Sequence, residues 1–503
     1  MSLLTLLLFF LSSLLSPSKS SPLKPHPLPL PPLPSSQQLQ WQLGSMSMFL
    51  HFGPNTFTDS EWGTGKADPS VFNPTRLDAS QWVRTAKSSG FSRVILTAKH
   101  HDGFCLWPTA YTDYSVRSSP WRNGTGDVVA ELASAAAAEG IGLGLYLSPW
   151  DRHDGSYGKT VEYNEFYLSQ MTELLTKYGD IKEVWLDGAK GEGEKDMEYY
   201  FNTWFSLIHQ LQPGAVIFSD AGPDVRWIGD EAGVAGSTCW SLFNRTDAKI
   251  GDTDPLYSQE GDGFGQDWVP AECDVSIRPG WFWHALESPK PVAKLLEIYY
   301  DSVGRNCLFL LNVPPNSSGL ISEQDVKVLK EFHELKKSIF DNNLARKGFV
   351  NSSSVRGSEF GAENVLEEGL DKYWAPEEKK QKRGWELYLE FRDPVSFNVL
   401  EVGEPIQMGQ RVASFRLEMR NVKSGEWERV VSGTTVGFKR LLRFPRCQSR
   451  SLKLVVEKAR ADPLISYVGV YMDKFSDKGR DSSSKITVTR TLQEEIVMND
   501  SKK

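Results

Sequence analysis

The chain runs to 503 residues, enough for more than one domain. It is 40% hydrophobic and 24% charged, an ordinary globular balance. A net charge of −8 without a long basic run argues against nucleic acid as a partner.

The first element is the apolar run 3–15, too short to span a bilayer and followed by small residues, Pro and Ser. It reads as a secretory signal peptide over 1–20, and the Pro-rich stretch 21–36 as an extended leader. No later apolar run is long enough for a membrane anchor, so the expected location is extracellular. In a secreted chain the 16 tryptophans divide between core and exposed rings that stack on the apolar faces of sugars. Sequons at Asn123, Asn244, Asn316, Asn351 and Asn499 are candidate glycan acceptors. The five cysteines are odd in number and lack metal-type spacing. One or two disulfides fit, and sequence leaves their pairing open, as it does the oligomeric state.

From residue 37 to 346, apolar runs alternate with amphipathic stretches. The runs 45–52, 93–98, 142–147, 183–186, 215–219, 274–277 and 307–312 predict strands. The stretches 79–89, 128–139, 163–178, 197–211, 291–303 and 323–339 predict helices. Asp78 and Asp127 precede the first two of these, and Gly90 and Gly140 follow them, as caps do. The alternation predicts parallel strands with helical crossovers, and hence an α/β, TIM-like (β/α) barrel whose eighth unit is degenerate. No Gly-rich dinucleotide fingerprint follows the first strand. Beyond a linker-like "NSSSVRGSEFG", alternating segments such as "WELYLEFRD" and "LKLVVEK" predict a C-terminal all-β sandwich over 347–475. A polar tail over 476–503 closes the chain.

Active sites of such barrels lie at the C-terminal strand ends. Those ends read "HFG", "KHHDGF", "YLSPWD", "WLDGA", "SDAGPDVRWIGDEAG" and "RPGWFWH". Of only eight histidines in the chain, His51, His100, His101 and His284 fall there. In "VWLDGA", Trp185 and Asp187 share a face because strand side chains alternate. Three chemistries compete: glycoside hydrolysis by two carboxylates, a metal site of His51, His100, His101 and Asp187, and a barrel that binds without catalysis. Adjacent His100 and His101 cannot both point inward from one regular strand, and no metal-ligand spacing is present, which disfavours the metal.

The blocks "FLHFGPNTFTDSEWGTG", "ILTAKHHDGFCLWP", "GLGLYLSPWDRH", "EVWLDGAKG", "VRWIGDEAG", "IRPGWFWH" and "NCLFLLNVPPNSSG" resemble the signature blocks of the α-L-fucosidases of glycoside hydrolase family 29, close to the secreted plant members. The resemblance implies a retaining enzyme without cofactor or metal, acting on a fucosylated glycan. It makes Asp187 the nucleophile. In the branch acting on α-1,3/1,4 linkages a block like "RWIGNEAG" carries the acid/base, which here falls on Glu231; Asp230 replaces the Asn and puts a charge beside it. The fucose-binding residues implied are His51, Glu61, Trp62, His100, His101, Tyr146, Trp185, Arg226 and Trp283. The β-domain resembles the discoidin-like domain found behind the barrel in this family.

Overall fold

The computed structural model describes residues 26–191, 193–377, 384–421 and 423–475. The expected signal peptide, the first residues of the leader, the tail 476–503 and its sequon Asn499 lie outside the described residues.

Eight parallel strands close into a barrel. In chain order they are β1 (Met46–Leu50), β2 (Arg93–Lys99), β3 (Gly142–Leu147), β4 (Ile181–Trp185), β5 (Val216–Ser219), β6 (Val225–Trp227), β7 (Ala271–Ser276) and β8 (Leu308–Asn312). β8 returns beside β1 with Met46 opposite Phe309. Two of the barrel's helices start at acidic caps. Asp78 accepts a hydrogen bond from the backbone of Gln81, and Asp127 from that of Ala130. Gly140 ends its helix at φ 67°, a left-handed turn that favours glycine.

β6 is the strand the sequence does not announce. It holds only Val225–Trp227, with a charged residue in the middle, and residues 220–224 join it to β5 without a helix. Three residues are too few to display a period of two. The degenerate unit of the barrel is therefore a short strand without its crossover.

The interior of the barrel is aromatic. Tyr146, Trp185 and Phe218 stand in register on β3, β4 and β5. Trp185 stacks on Phe218 with centroids 3.9 Å apart, and on Tyr146 at 5.4 Å. Lower down, helix Ser36–Leu43 sends Trp41 into the same cluster, where its indole donates to the buried Glu183 at 2.9 Å. Arg93 lies 3.6 Å from Glu183. Glu272 accepts from the Trp185 indole at 3.0 Å; burial and the neighbouring Glu183 push its carboxyl well up.

The C-terminal domain is a six-stranded antiparallel sheet. Its strands are β9 (Gly348–Ser352), β10 (Trp385–Gly403), β11 (Val412–Arg420), β12 (Trp427–Gly433), β13 (Arg440–Ala459) and β14 (Tyr467–Tyr471). The two long strands, β10 and β13, lose register between Glu390 and Val395 and again between Phe397 and Val399. Such bulges bend a sheet, and here β10 pairs with β9 before them and with β14 after them. The sheet packs on the barrel. Val399, Leu441 and Tyr471 join the barrel's own apolar cluster, and the Leu441 amide donates to Gly304 at 2.8 Å.

Cys273 on β7 is bonded to Cys307, which precedes β8. The two strands are neighbours, so the bridge ties adjacent rungs of the barrel. Cys105, Cys239 and Cys447 are free.

Candidate active site

A cavity of about 460 Å³ opens at the C-terminal strand ends. Its walls bring together His51, Glu61, Trp62, His100, His101, Trp185, Asp187 and Glu231. Tyr146 lies directly beneath, fully buried.

Asp187 follows β4 by two residues, so it keeps the inward face of Trp185. Its Oδ2 accepts from the Tyr146 hydroxyl at 3.0 Å, and its Oδ1 from the Ala189 amide at 2.8 Å. Burial pushes its carboxyl up, and these two hydrogen bonds restrain the rise. His101 Nε2 stands 3.6 Å from Oδ2.

The three histidines around it are neutral. Burial lowers His51 and His101 to about 3 and His100 well below its usual value. A neutral imidazole offers one donor and one acceptor. His51 Nδ1 faces Asn312 Oδ1 at 2.8 Å. The Asn312 amide nitrogen is itself spent as a donor on Ser276 and on the carbonyl of Trp281. Nδ1 of His51 therefore carries the proton, and Nε2 is left as an acceptor. Ser148 fixes His101 in the same tautomer, because its hydroxyl already donates to the Trp150 carbonyl. His100 and His101 both reach the cavity because β2 ends at Lys99 and the chain turns there. The alternation that should have separated them no longer applies.

Glu231 sits on the exposed loop after β6. The Trp281 indole donates to it at 3.4 Å. Asp230 turns the other way: its carboxylate takes the amides of Ala232 and Val234 and the side chain of Gln259. A second acid stands near Glu231 on the cavity wall. Asp274, inward on β7, is 4% exposed and accepts from the Trp227 indole at 2.8 Å. Burial, and then the charge of Glu231, push its carboxyl well up.

Glu61 holds the cavity's rim. It accepts from the amide of Trp281 at 2.8 Å and from that of Phe282 at 3.3 Å, and it pairs with His284 Nε2 at 2.6 Å. Asp59 holds the other nitrogen of His284. Burial alone would lower this imidazole, but the two carboxylates raise it. Trp62 meets Trp150 edge-on at 5.3 Å and is 39% exposed.

Two expected contacts with the sugar lie elsewhere. Arg226 is the middle residue of β6, so Val225 and Trp227 face inward and Arg226 faces out. Its guanidinium is spent on the carbonyls of Ser258, Val269 and Trp240. Trp283 lines a separate groove beside Arg278, whose guanidinium lies 5.9 Å from its ring centre. Trp281, two residues earlier, takes the cavity position, with its ring 5.1 Å from that of His51.

Asp220, Trp227, Asp274 and Trp281 complete the wall. Asp220, Trp227 and Trp281 fall at strand ends in the sequence. Asp274 hides at the start of a predicted strand, and only the two-residue alternation from Glu272 could have found it. Asp220 is pushed up to about 6, chiefly by burial. It accepts from the amide of Gly251 at 2.5 Å, which draws the 251–253 loop over the cavity.

A closed barrel presenting carboxylates, neutral imidazoles and aromatic walls to one cavity defines a glycoside-cleaving enzyme of the (β/α) class. The α-L-fucosidase family model matches residues 37–336. α-L-Fucosidase 1 of Arabidopsis thaliana is 79% identical over 98% of this chain and 99% of its own length. A rice protein described as putative α-L-fucosidase 1 is 63% identical over 90% of the chain and 87% of its own. Among solved structures, a Ruminococcus gnavus GH29 fucosidase in complex with fucose superposes with a TM-score of 0.83 at 35% identity. It covers 89% of this chain and 97% of that one. The chain belongs to the α-L-fucosidase family of glycoside hydrolases and is an α-L-fucosidase.

Among the described residues no group of three His, Cys, Asp or Glu side chains is placed to hold a metal ion.

Proposed function

We propose that the enzyme removes terminal fucose linked α-1,3 or α-1,4 in glycans of the Lewis a type, with retention, by double displacement. The observation that carries this reading is the contrast between two carboxylates on one cavity. Asp187 is gripped by Tyr146 and Ala189, as a nucleophile must be. Glu231 rides an exposed loop, where it can meet the leaving oxygen and then water. Tyr146 stands where it fixes Asp187 against the anomeric carbon. The imidazole acceptors of His51 and His101 suit sugar hydroxyls, and Trp62 and Trp281 suit the methyl face. The same reading places the enzyme outside the cell. The Cys273–Cys307 bridge supports this, as does the sequon Asn123 on an exposed turn.

Azide separates the two roles. Glu231→Ala should lose about 10²–10⁴-fold on natural glycans and far less on an aryl fucoside with an acidic leaving group. With azide it should yield the α-fucosyl azide, by attack on the fucosyl-enzyme. Asp187→Ala should yield the β-azide, by direct attack on the substrate. Exchanged stereochemistry between the two variants would overturn the assignment. Faster release from α-1,2-linked xyloglucan oligosaccharides than from Lewis a glycans would overturn the linkage. A wild type that binds fucosylated glycans and releases no fucose from any linkage would leave only a binding protein.

A further inference from the structure

The first strand of the sheet domain carries an exposed aromatic ring beside a sequon. β9 lies at the edge of the described sheet, with β10 as its neighbour. Its side chains alternate. Val350 packs against the core of the domain, while Phe349 and Asn351 face outward. Phe349 is 63% exposed, although Arg392 comes within 5.9 Å of its ring centre. Asn351 stands opposite Tyr388 of β10, and Phe349 opposite Glu390. An edge strand is a ready template for pairing with another chain, and native proteins blunt such edges. On β9 the outward position that could serve this purpose holds an apolar ring instead of a charge.

Asn351 is placed to cover that ring. It opens the sequon Asn351-Ser352-Ser353. Its Oδ1 accepts from the Ser352 amide at 2.8 Å, and its Nδ2, the atom that takes a glycan, donates to nothing among the described residues. Phe349 precedes it by two residues on the same face. That spacing is about 7 Å along a strand, within reach of a pyranose ring carried on Nδ2. The other described sequons differ. Trp121 has the same spacing before Asn123 but is 4% exposed and belongs to the barrel's apolar cluster. Asn244 spends its Nδ2 on Asp262 at 3.0 Å. Asn316 follows two prolines, and its Oδ1 accepts from the amide and the hydroxyl of Ser318.

We propose that Asn351 carries an N-linked glycan whose first N-acetylglucosamine lays its apolar face on Phe349 and covers the open edge of β9. The proposal rests on the reading of the chain as secreted, because this modification belongs to the secretory route. The bond formed joins Nδ2 to the anomeric carbon of the first sugar. The donor is a lipid-linked oligosaccharide diphosphate; its glycosyl–phosphate bond breaks, and the Nδ2 proton leaves with the released diphosphate. The ring and the C–H face of the sugar then bury apolar area against each other.

The test uses the full chain secreted from plant cells. Trypsin releases the peptide Gly348–Arg356, in which Asn351 is the one asparagine. Its mass should include a glycan and should fall to that of the bare peptide after a peptide N-glycosidase. Packing is read from a double-mutant cycle in thermal unfolding. Asn351→Gln should lower Tm by about 1–3 °C. In the Phe349→Ala background the same change should move Tm by less than about half a degree, because the ring that the sugar covers is gone. A bare Asn351 in a chain glycosylated at Asn123 or Asn316 overturns the proposal and leaves the extracellular reading intact. A chain bare at every sequon overturns both. Equal losses of Tm in the two backgrounds overturn the proposal as well, since the sugar would then stabilise without touching Phe349. The peptide mass is read on the wild type and stands even where a variant is not secreted.

Discussion

Tyr146 donates its hydroxyl to Asp187 from a position that no water reaches. A hydrogen bond to a carboxylate favours the charged form, and a nucleophile must be charged. Tyr146→Phe should therefore raise the pKa of Asp187 further and move the acid limb of the kcat/KM profile to higher pH. Losing a hydrogen bond to a charged group should lower kcat/KM by about 10- to 100-fold. An unmoved acid limb would show that Tyr146 only packs. At this scale the sequence was most legible where strands are regular. The "WLDG" block places Trp185 and Asp187 on one face, and both line the cavity. It was least legible at Arg226 and Trp283. Arg226 alternates with inward neighbours on a strand too short to show its phase, and Trp283 lies beyond β7 on an irregular segment where no alternation holds.

The loop that carries Glu231 is pinned on both sides. At Gly229, φ is +98° and a Cβ would come within 2.7 Å of the Pro255 carbonyl. At Gly233, φ is +73° and a Cβ would meet Val275 at 2.8 Å and Ile298 at 2.9 Å. Asp230 ties the turn between them. The loop is thus exposed at its tip and fixed at its roots, which lets Glu231 reach the leaving group without wandering. Gly233→Ala should strain the left-handed turn and displace the tip, destabilising the fold by about 1–3 kcal/mol. Cleavage of natural glycans should fall much more than cleavage of an activated aryl fucoside. The ratio of kcat/KM for the two substrates measures this, and an equal fall in both would mean that the change acts on the fold alone.

Across the whole molecule, buried acids and buried imidazoles pull stability in opposite directions with pH. Asp102 is buried, and burial and then the charge of Asp151 raise its carboxyl to about 7. A raised acid contributes stability that is present below its unfolded pKa of 3.8 and is lost as pH rises through about 7. His51 and His101, lowered to about 3, contribute stability that is present above 6.5 and is lost as pH falls. Asp102→Asn should flatten the alkaline side of the stability curve. Its Oδ2 has no hydrogen-bond partner to lose. Urea unfolding at pH 5 and pH 8 should show the wild type losing at most about 3 kcal/mol more than the variant across that interval. Equal losses would mean that Asp102 is ionised throughout.

The sequence by itself determined the barrel, the attached β-domain, the enzyme class and most of the residues at the strand ends. Apolar periodicity and capping residues are local, and a strand long enough to alternate declares its own faces. Only the tertiary structure decided that β6 exists, that Asp274 rather than Asp230 is the buried carboxyl behind Glu231, that Trp281 takes the place expected of Trp283, and that Cys273 pairs with Cys307. Each of these depends on groups far apart in the chain, brought together when the sheet closes. Closure is set by hydrogen bonds between strands, and no local pattern encodes which side chains then meet across the barrel.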